Sequence, residues 1–325
     1  MVDQAPPHRP VLAIGEVLID LIAAETLSGK PTGLHDVASL DVRPGGAPAN
    51  VAVALARLGV SAAFCGVVGA DPFGERLRET LAGERVDTSR LRATSDAETS
   101  LALAWKDARG DGHFRLLRMA DRLLTPEDID AANVPGAAAI VVGSVALSVD
   151  PSRAAIGRAA IVASAAGVPV CFDVNLRPTL WRDRATAVAA CRPIAAAATL
   201  LKLSLDDARF LFEVTMPEDA FAAARDWTPG VVVLTDGGRG SWYTPAGSNE
   251  PLRVPAYAVV PVEPTGAGDA FTAALISRLL EHGWGEPSDV DVRFAAAAGA
   301  LATTRPGALD GLPTRAEIEA FQATA

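Results

Sequence analysis

Val262-Glu-Pro-Thr-Gly-Ala-Gly-Asp-Ala-Phe271 sets the small residues Gly266, Ala267 and Gly268 at the mouth of a long helical stretch, with an acid in its first turn. The glycines let backbone approach a phosphate without a Cβ clash. The free N–H groups of a first helical turn point at such an anion along the positive end of the helix dipole. Asp269 is expected to be kept ionised by that dipole, and to take a proton from an attacking hydroxyl as its bond to phosphorus forms. An ordinary Gly-rich helix start, with Asp269 as a favourable first-turn charge, explains the same residues equally well on this local pattern.

Outward from this stretch, short β-branched runs alternate with longer Ala- and Leu-rich segments, which predicts a mostly parallel sheet covered by helices. Strands are expected at Val11–Ile14, Ala62–Val68, Ala139–Val142, Val168–Asp173, Thr199–Leu203 and Val231–Thr235. Apolar spacing of 3.6 residues predicts helices at Ala49–Leu58, Phe73–Ala82, Pro151–Ala165, Ala185–Ala195 and Leu205–Phe212, and then at Ala267–Glu281, Val290–Thr303 and Arg315–Gln322. Two regions break the alternation, Ile19–Arg43 and Thr99–Arg118. In the second, Leu101–Trp105 and His113–Arg118 read as a hairpin turning at Arg109-Gly-Asp-Gly112, so both regions are taken as strands projecting from the main sheet. No repeat, low-complexity linker or charge block divides the chain, and one domain over residues 1–325 is expected.

Half of the 325 residues are hydrophobic and 21% are charged, enough to bury a large core. A net charge of −10 argues against nucleic acid as a partner, because affinity for a phosphate backbone needs clustered Lys and Arg. Cys65, Cys171 and Cys191 are an odd number without CxxC spacing, and buried thiols in a reducing cytosol are expected. MVDQAPPHRP has neither the charged start nor the apolar run of a signal peptide, and the longest apolar run, Ala137–Leu147, is too short to span a membrane. A dinucleotide fingerprint fails because Gly266-Ala-Gly268 continues without a third glycine. A P-loop fails because Gly29-Lys30 is followed by Pro31. His8, His35, His113 and His282 form no HExxH, and no GxSxG elbow is present.

With these stretches in view, the chain resembles the ribokinase-like (PfkB) carbohydrate kinases over essentially its whole length. One signature is Gly45-Gly-Ala-Pro-Ala-Asn-Val-Ala-Val-Ala-Leu-Ala-Arg-Leu-Gly59, followed by Gly66-Val-Val-Gly-Ala-Asp-Pro-Phe-Gly74. The other is the Thr-Gly-Ala-Gly-Asp helix start at Thr265–Asp269. The resemblance implies a three-layer α/β/α sandwich with a small β lid from residues 19–43 and 99–118, and an ATP-dependent sugar kinase that uses Mg²⁺. A homodimer through the lid and a cytoplasmic location are the expected setting.

The resemblance also assigns residues, and chemistry supports each. Asp20 would clamp two sugar hydroxyls, Gly45 and Gly46 would let backbone amides approach the sugar, and the Asn50 amide would donate and accept at once. A solvated strand end for Asp20 and a helix-start role for Asn50 are the bland alternatives. Asp173, Asn175 and Arg177 in Phe172-Asp-Val-Asn-Leu-Arg-Pro-Thr-Leu-Trp181 alternate by two and are expected to face the crevice, Arg177 meeting sugar or γ-phosphate. Arg118 is expected near the sugar, with a surface salt bridge as its alternative. In Lys202-Leu-Ser-Leu-Asp-Asp207, Lys202 and Ser204 fall on the nucleotide side, and Asp207 stands where relatives organise water around Mg²⁺. A helix N-cap at Ser204 explains the same residues. Thr235, Gly237 and Gly240 in Thr235-Asp-Gly-Gly-Arg-Gly240 would lie under the nucleotide, unless they form a bare hairpin. Glu263-Pro264 departs from the family's Asp-Thr, where the acid with carbonyls near Thr265, Ala302, Arg305 and Gly307 holds a monovalent cation such as K⁺.

The expected reaction is transfer of the γ-phosphate of ATP to a primary sugar hydroxyl, with D-fructose ahead of 2-keto-3-deoxygluconate. The keto acid's carboxylate would need a firmly placed cation, and Arg118 and Arg177 are the candidates. Gly143-Ser-Val-Ala-Leu147 and Asp173–Trp181 also look more like bacterial fructokinases. A catalytically silent sugar-binding regulator and a hydride-transferring oxidoreductase are the competing classes.

Overall fold

The computed structural model describes residues 9–28, 30, 32–109, 112–244 and 250–324. The N-terminal stretch read for a signal peptide, with His8, falls mostly outside them, as do Gly110 and Asp111 at the tip of the expected hairpin.

The element order begins with β1 (Val11–Ile14), β2 (Leu18–Thr26), β3 (Val37–Gly45), α1 (Ala47–Arg57), β4 (Ala62–Gly69) and α2 (Pro72–Gly83). It continues with β5 (Asp87–Thr94), β6 (Leu101–Lys106), β7 (Gly112–Leu117), α3 (Pro126–Ala131), β8 (Ala139–Gly143), α4 (Ser152–Ala165) and β9 (Val170–Asp173). Then come α5 (Arg184–Ala197), β10 (Leu200–Ser204), α6 (Leu205–Phe212), α7 (Pro217–Arg225), β11 (Val231–Thr235), β12 (Ser241–Tyr243) and β13 (Leu252–Val254). Three helices close the chain, α8 (Ala267–Glu281), α9 (Asp289–Thr303) and α10 (Arg315–Gln322).

Nine strands form the main sheet in the order β13-β12-β11-β10-β9-β8-β1-β4-β5, parallel from β11 to β5 and antiparallel where β12 meets β11 and β13. The central strands read as unbroken apolar runs because both of their faces are covered. Leu12 and Ile14 of β1 pack with α3–α7 on one side, whereas Val11 and Ala13 pack with α1, α2 and α8–α10 on the other. Each large side chain buried this way, such as Phe64 or Phe172, contributes roughly 1.5–3 kcal/mol. The result is a three-layer α/β/α sandwich.

The two regions that broke the alternation make a second sheet, ordered β3-β2-β6-β7. Its β2 leaves β1 after a short turn at Gly15, and its β3 leads through Gly45 into α1, so the small sheet stands over the C-terminal edge of the large one. The strand β5 was not anticipated. Polar sequences such as Asp87–Thr94 serve as an edge strand, where β-propensity is a weak guide. All three cysteines are buried and free, and burial pushes Cys65 and Cys191 up to about 12. Among the described residues no helix is long and apolar enough to cross a membrane.

Candidate active site

The parallel strands end on one edge, and α8 starts there with its N-terminus beside α1. Gly266 is the N-cap of α8 with φ 84°, and a Cβ on it would meet the backbone of Ala308, so glycine is required by both conformation and space. That turn leaves Asp269 in the first turn of α8 with only 6% of its surface exposed. The amide Nδ2 of Asn50 donates to Asp269 Oδ2 at 2.8 Å, which joins the two sequence signatures.

The helix dipole expected to keep Asp269 ionised is opposed by burial. Burial raises its pKa to about 6, against the hydrogen bond from Asn50; Asp173 raises it further, and Lys202 and Arg177 pull it down. Desolvation outweighs the half-charge of a helix end because the carboxyl has lost nearly all its water. A base poised near neutrality is what proton abstraction at pH 7 requires.

Asp173 and Lys202 are Cα partners on β9 and β10, so their side chains meet on one face. Lys202 Nζ lies 3.0 Å from both carboxylate oxygens of Asp173, and Thr272 Oγ1 donates to Asp173 at 2.6 Å. Burial works against the charge on Lys202, but Asp173 more than offsets it and its pKa is raised. A methyl group on Gly268 would lie 3.2 Å from Lys202 Nζ, so this ammonium sits against the small-residue loop. Asp173, expected to touch sugar, is instead committed to this internal network. The alternation by two also fails after Asp173, because β9 ends there and Asn175 turns left-handed with φ 39°. Arg177 folds back onto Asn175, Nη1 donating to Oδ1 at 2.6 Å, with its guanidinium 5.6 Å from the centre of the Phe114 ring on β7.

On the lid side, the Asp20 carboxylate packs onto the Cα of Gly45, and Gly46 packs on the backbone of Glu16 and Val17. Both glycines are thus needed where the chains cross between β3 and α1, whatever else they do. Burial lifts Asp20 to about 7, helped by Glu263 and Asp269 and opposed by Arg177. Glu16, which sequence reasoning did not assign, is also raised to about 7, mainly by burial, and its Oε2 is buried without a hydrogen-bond partner. Its position four residues before Asp20, on the turn leaving β1, was the available signal.

Arg118 does not reach toward sugar. Nε donates to Asp121 at 2.6 Å, Nη1 to the Val145 carbonyl and Ser148 Oγ, and Nη2 to Ser152 Oγ at 3.3 Å. The ion pair is buried, with side-chain exposures of 8% and 1%, so neither the sugar role nor the surface salt bridge describes it. The physical reason is donor accounting: a buried guanidinium must spend its N–H groups on whatever surrounds it.

On the nucleotide side, Ser204 and Asp207 form a capping box at the start of α6, and Asp207 Oδ1 also accepts from the Leu176 amide at 2.7 Å. Both carboxylate oxygens are therefore occupied, and burial raises the pKa. These bonds hold Asp207 as a helix cap beside the strand edge. Thr235 pairs with Ser204 across β11 and β10 at the same edge. Gly240 makes room for the Val254 carbonyl of β13 rather than for ribose, while Gly237 faces open space. Glu263 Oε2 accepts from the Gly307 amide at 2.8 Å, tying the segment before Thr265 to the turn after Ala302. The Arg305 side chain is in an ion pair with Glu317, and the expectation concerned its carbonyl. Among the described residues no cluster of three or more His, Cys, Asp or Glu side chains could hold a metal.

What converges is a buried carboxyl with its pKa near neutrality, a helix N-terminus lined by small residues, and the cations Lys202 and Arg177, with Asp20 on the small sheet. That set can remove a proton from a neutral hydroxyl and stabilise negative charge beside it. The family model for pfkB family carbohydrate kinases matches residues 9–315. Fructokinase-1 of Zea mays is 36% identical over 320 residues, covering 95% of this chain and 96% of the relative. The structure of a Xylella fastidiosa fructokinase with bound ATP superposes with a TM-score of 0.85 at 29% identity, covering 98% of this chain and 99% of that one. A double-mutant fructokinase of Vibrio cholerae O395, with fructose, ADP and potassium ion bound, gives 0.82 at 32%, covering 98% and 99%.

Proposed function

The chain belongs to the pfkB family of carbohydrate kinases, and from that premise we propose that it transfers the γ-phosphate of ATP to the primary 6-hydroxyl of D-fructose. The observation that carries the reading is Asp269, buried and bound to Asn50 at the N-terminus of α8. Asp269 takes the proton of the hydroxyl as it attacks phosphorus. The N–H groups of Gly268 and its neighbours, with Lys202 and Arg177, meet the charge on the transferred group. Asp20 faces the neutral hydroxyls of the sugar, and Arg177 against Phe114 links the lid to the reacting centre.

The arrangement of the arginines favours fructose over the keto acid. With Arg118 committed to Asp121, two convergent arginines are not offered to a carboxylate at the sugar's far end. Mg²⁺ arriving with the nucleotide would neutralise phosphate charge, and Asp207 would act on it through water. Glu263, which accepts from the Gly307 amide, would supply the carboxylate of a K⁺ site behind the anion loop. We take the enzyme to be cytoplasmic and to pair through the lid.

An ADP-release assay with fructose, 2-keto-3-deoxygluconate and ribose, run in K⁺ and again in tetramethylammonium, tests the reading. The expected result is the highest kcat/KM for fructose, with lower activity in tetramethylammonium. A preference of about tenfold or more for the keto acid overturns the substrate, and equal rates in both salts remove the K⁺ site.

A further inference from the structure

The Asn50 amide faces two ways. Its Nδ2 donates to Asp269 Oδ2 at 2.8 Å, while its Oδ1 is buried and has no hydrogen-bond partner. An ionised carboxylate only accepts, so the nitrogen is the end that must face Asp269, which leaves the oxygen free to accept from another donor. Both side chains are buried, at 4% and 6% exposure, on helices that pack together. A buried acceptor without a partner is costly, and here it lies beside the base.

We propose that Asn50 is a positioning residue for the catalytic base as well as a sugar ligand, one amide tying recognition of the sugar to the orientation of Asp269. The inference rests on the kinase reading. The bond to Oδ2 fixes the carboxylate plane and leaves Oδ1 to receive the proton. A sugar hydroxyl beside the reacting one donates to Asn50 Oδ1, which polarises the amide and strengthens its N–H bond to Asp269. A sugar lacking that hydroxyl binds more weakly and also meets a less well prepared base.

Of the groups facing Asp269, Asn50 on α1 is the strongest influence opposing burial. Asp173 on β9 acts with burial, Lys202 on β10 and Arg177 beyond β9 act with Asn50, and Asp20 on β2 adds a further carboxylate. Removing the Asn50 donor therefore favours the protonated base, and the acid side of the activity profile moves to higher pH.

The test uses Asn50→Ala and Asn50→Ser, two small substitutions at one buried position, so that one misfolded variant does not end the experiment. Carboxyl carbons of Asp are labelled with ¹³C, Asp269 is assigned by loss of its signal in Asp269→Asn, and its titration is followed in each variant. The expected result is a rise of about one pH unit in Asn50→Ala, with a smaller rise in Asn50→Ser, whose hydroxyl can still donate. The acid limb of kcat/KM moves with it, KM for the sugar rises at least about tenfold, and KM for ATP stays within about twofold. An Asp269 titration unmoved by either substitution overturns the proposal and leaves Asn50 a sugar ligand alone. The titration needs no turnover, so a wild-type enzyme inactive on every sugar counts against the function reading and not against this inference.

Discussion

Asp269 and Glu317 both sit in the first turn of a helix, and the fold treats them in opposite ways. Glu317 on α10 accepts from the Thr314 amide and hydroxyl through one oxygen and from Arg305 through the other, which holds its pKa down at about 2. Asp269 on α8 has Asn50 as its hydrogen-bonding side chain, has lost its water, and is pushed up to about 6. Asp207 falls between them: its capping box matches that of Glu317, yet burial still raises it. A helix N-terminus alone does not set the charge of an acid. Burial against the supply of donors does, and a fold that starves an acid of donors has built a base.

The strongest way to break this contrast is Asp269→Asn, which keeps size and helix geometry while removing the proton acceptor. kcat should fall by about 10²–10⁴ with ATP affinity little changed. Stability should move the other way. The folded pKa, about 6, lies above the ordinary 3.8, so the native carboxylate destabilises the fold above about pH 6 and not below pH 4. The variant should unfold at a higher denaturant concentration than wild type at pH 8 and match it near pH 4. A variant with near-normal kcat ends the mechanism.

Arg118 sharpens the comparison from the side of donor supply. Arg118→Ala leaves Asp121 buried and short of a cation, and should cost roughly 3 kcal/mol in urea unfolding while KM for the sugar changes less than about threefold. Intact stability with a tenfold rise in KM would restore Arg118 to the sugar site.

The sandwich was legible because its signal is local. Strands β1 and β11 and helices α6, α8 and α10 fall where apolar periodicity puts them, and the Gly266–Asp269 stretch starts α8 as its small residues predict. The partner of each polar group was not legible. Asp173 meets Lys202 through strand register and Thr272 through helix packing, and Arg118 meets Ser152 across 34 residues. Residue type shows what such a group can do, and only the fold shows which of its bonds are already spent. The same limit hid Glu16, whose unusual feature is a partner it lacks.

Glu16 offers a smaller test of the same rule. Its folded pKa, about 7, lies above the ordinary 4.5, so ionisation weakens the fold above about pH 7. Glu16→Gln should therefore stabilise the protein on the order of 2 kcal/mol at pH 8 and leave it unchanged near pH 4.5. A loss of stability at pH 8 would mean that Glu16 is held by partners after all, and would move it to the class of Glu317.

Glu317→Gln should give the smallest effect, with the opposite sign. Gln keeps one acceptor for Thr314 but gives up the charge that Arg305 pairs with. The Glu317 side chain is 39% exposed, so solvent screening reduces what the pair contributes, and a loss of about 1 kcal/mol at pH 7 is expected. The native pKa is lowered, so the stabilisation is full above the ordinary value of 4.5 and fades as pH falls toward about 2. Wild type and variant compared in urea from pH 7 down to pH 3.5 should differ by a constant amount to about pH 4.5, and by less below it. A gap that widens with acid would mean that the Glu317 carboxyl is protonated in the fold more readily than in the unfolded chain. Helix starts would then raise both acids, and the contrast with Asp269 would owe nothing to donors.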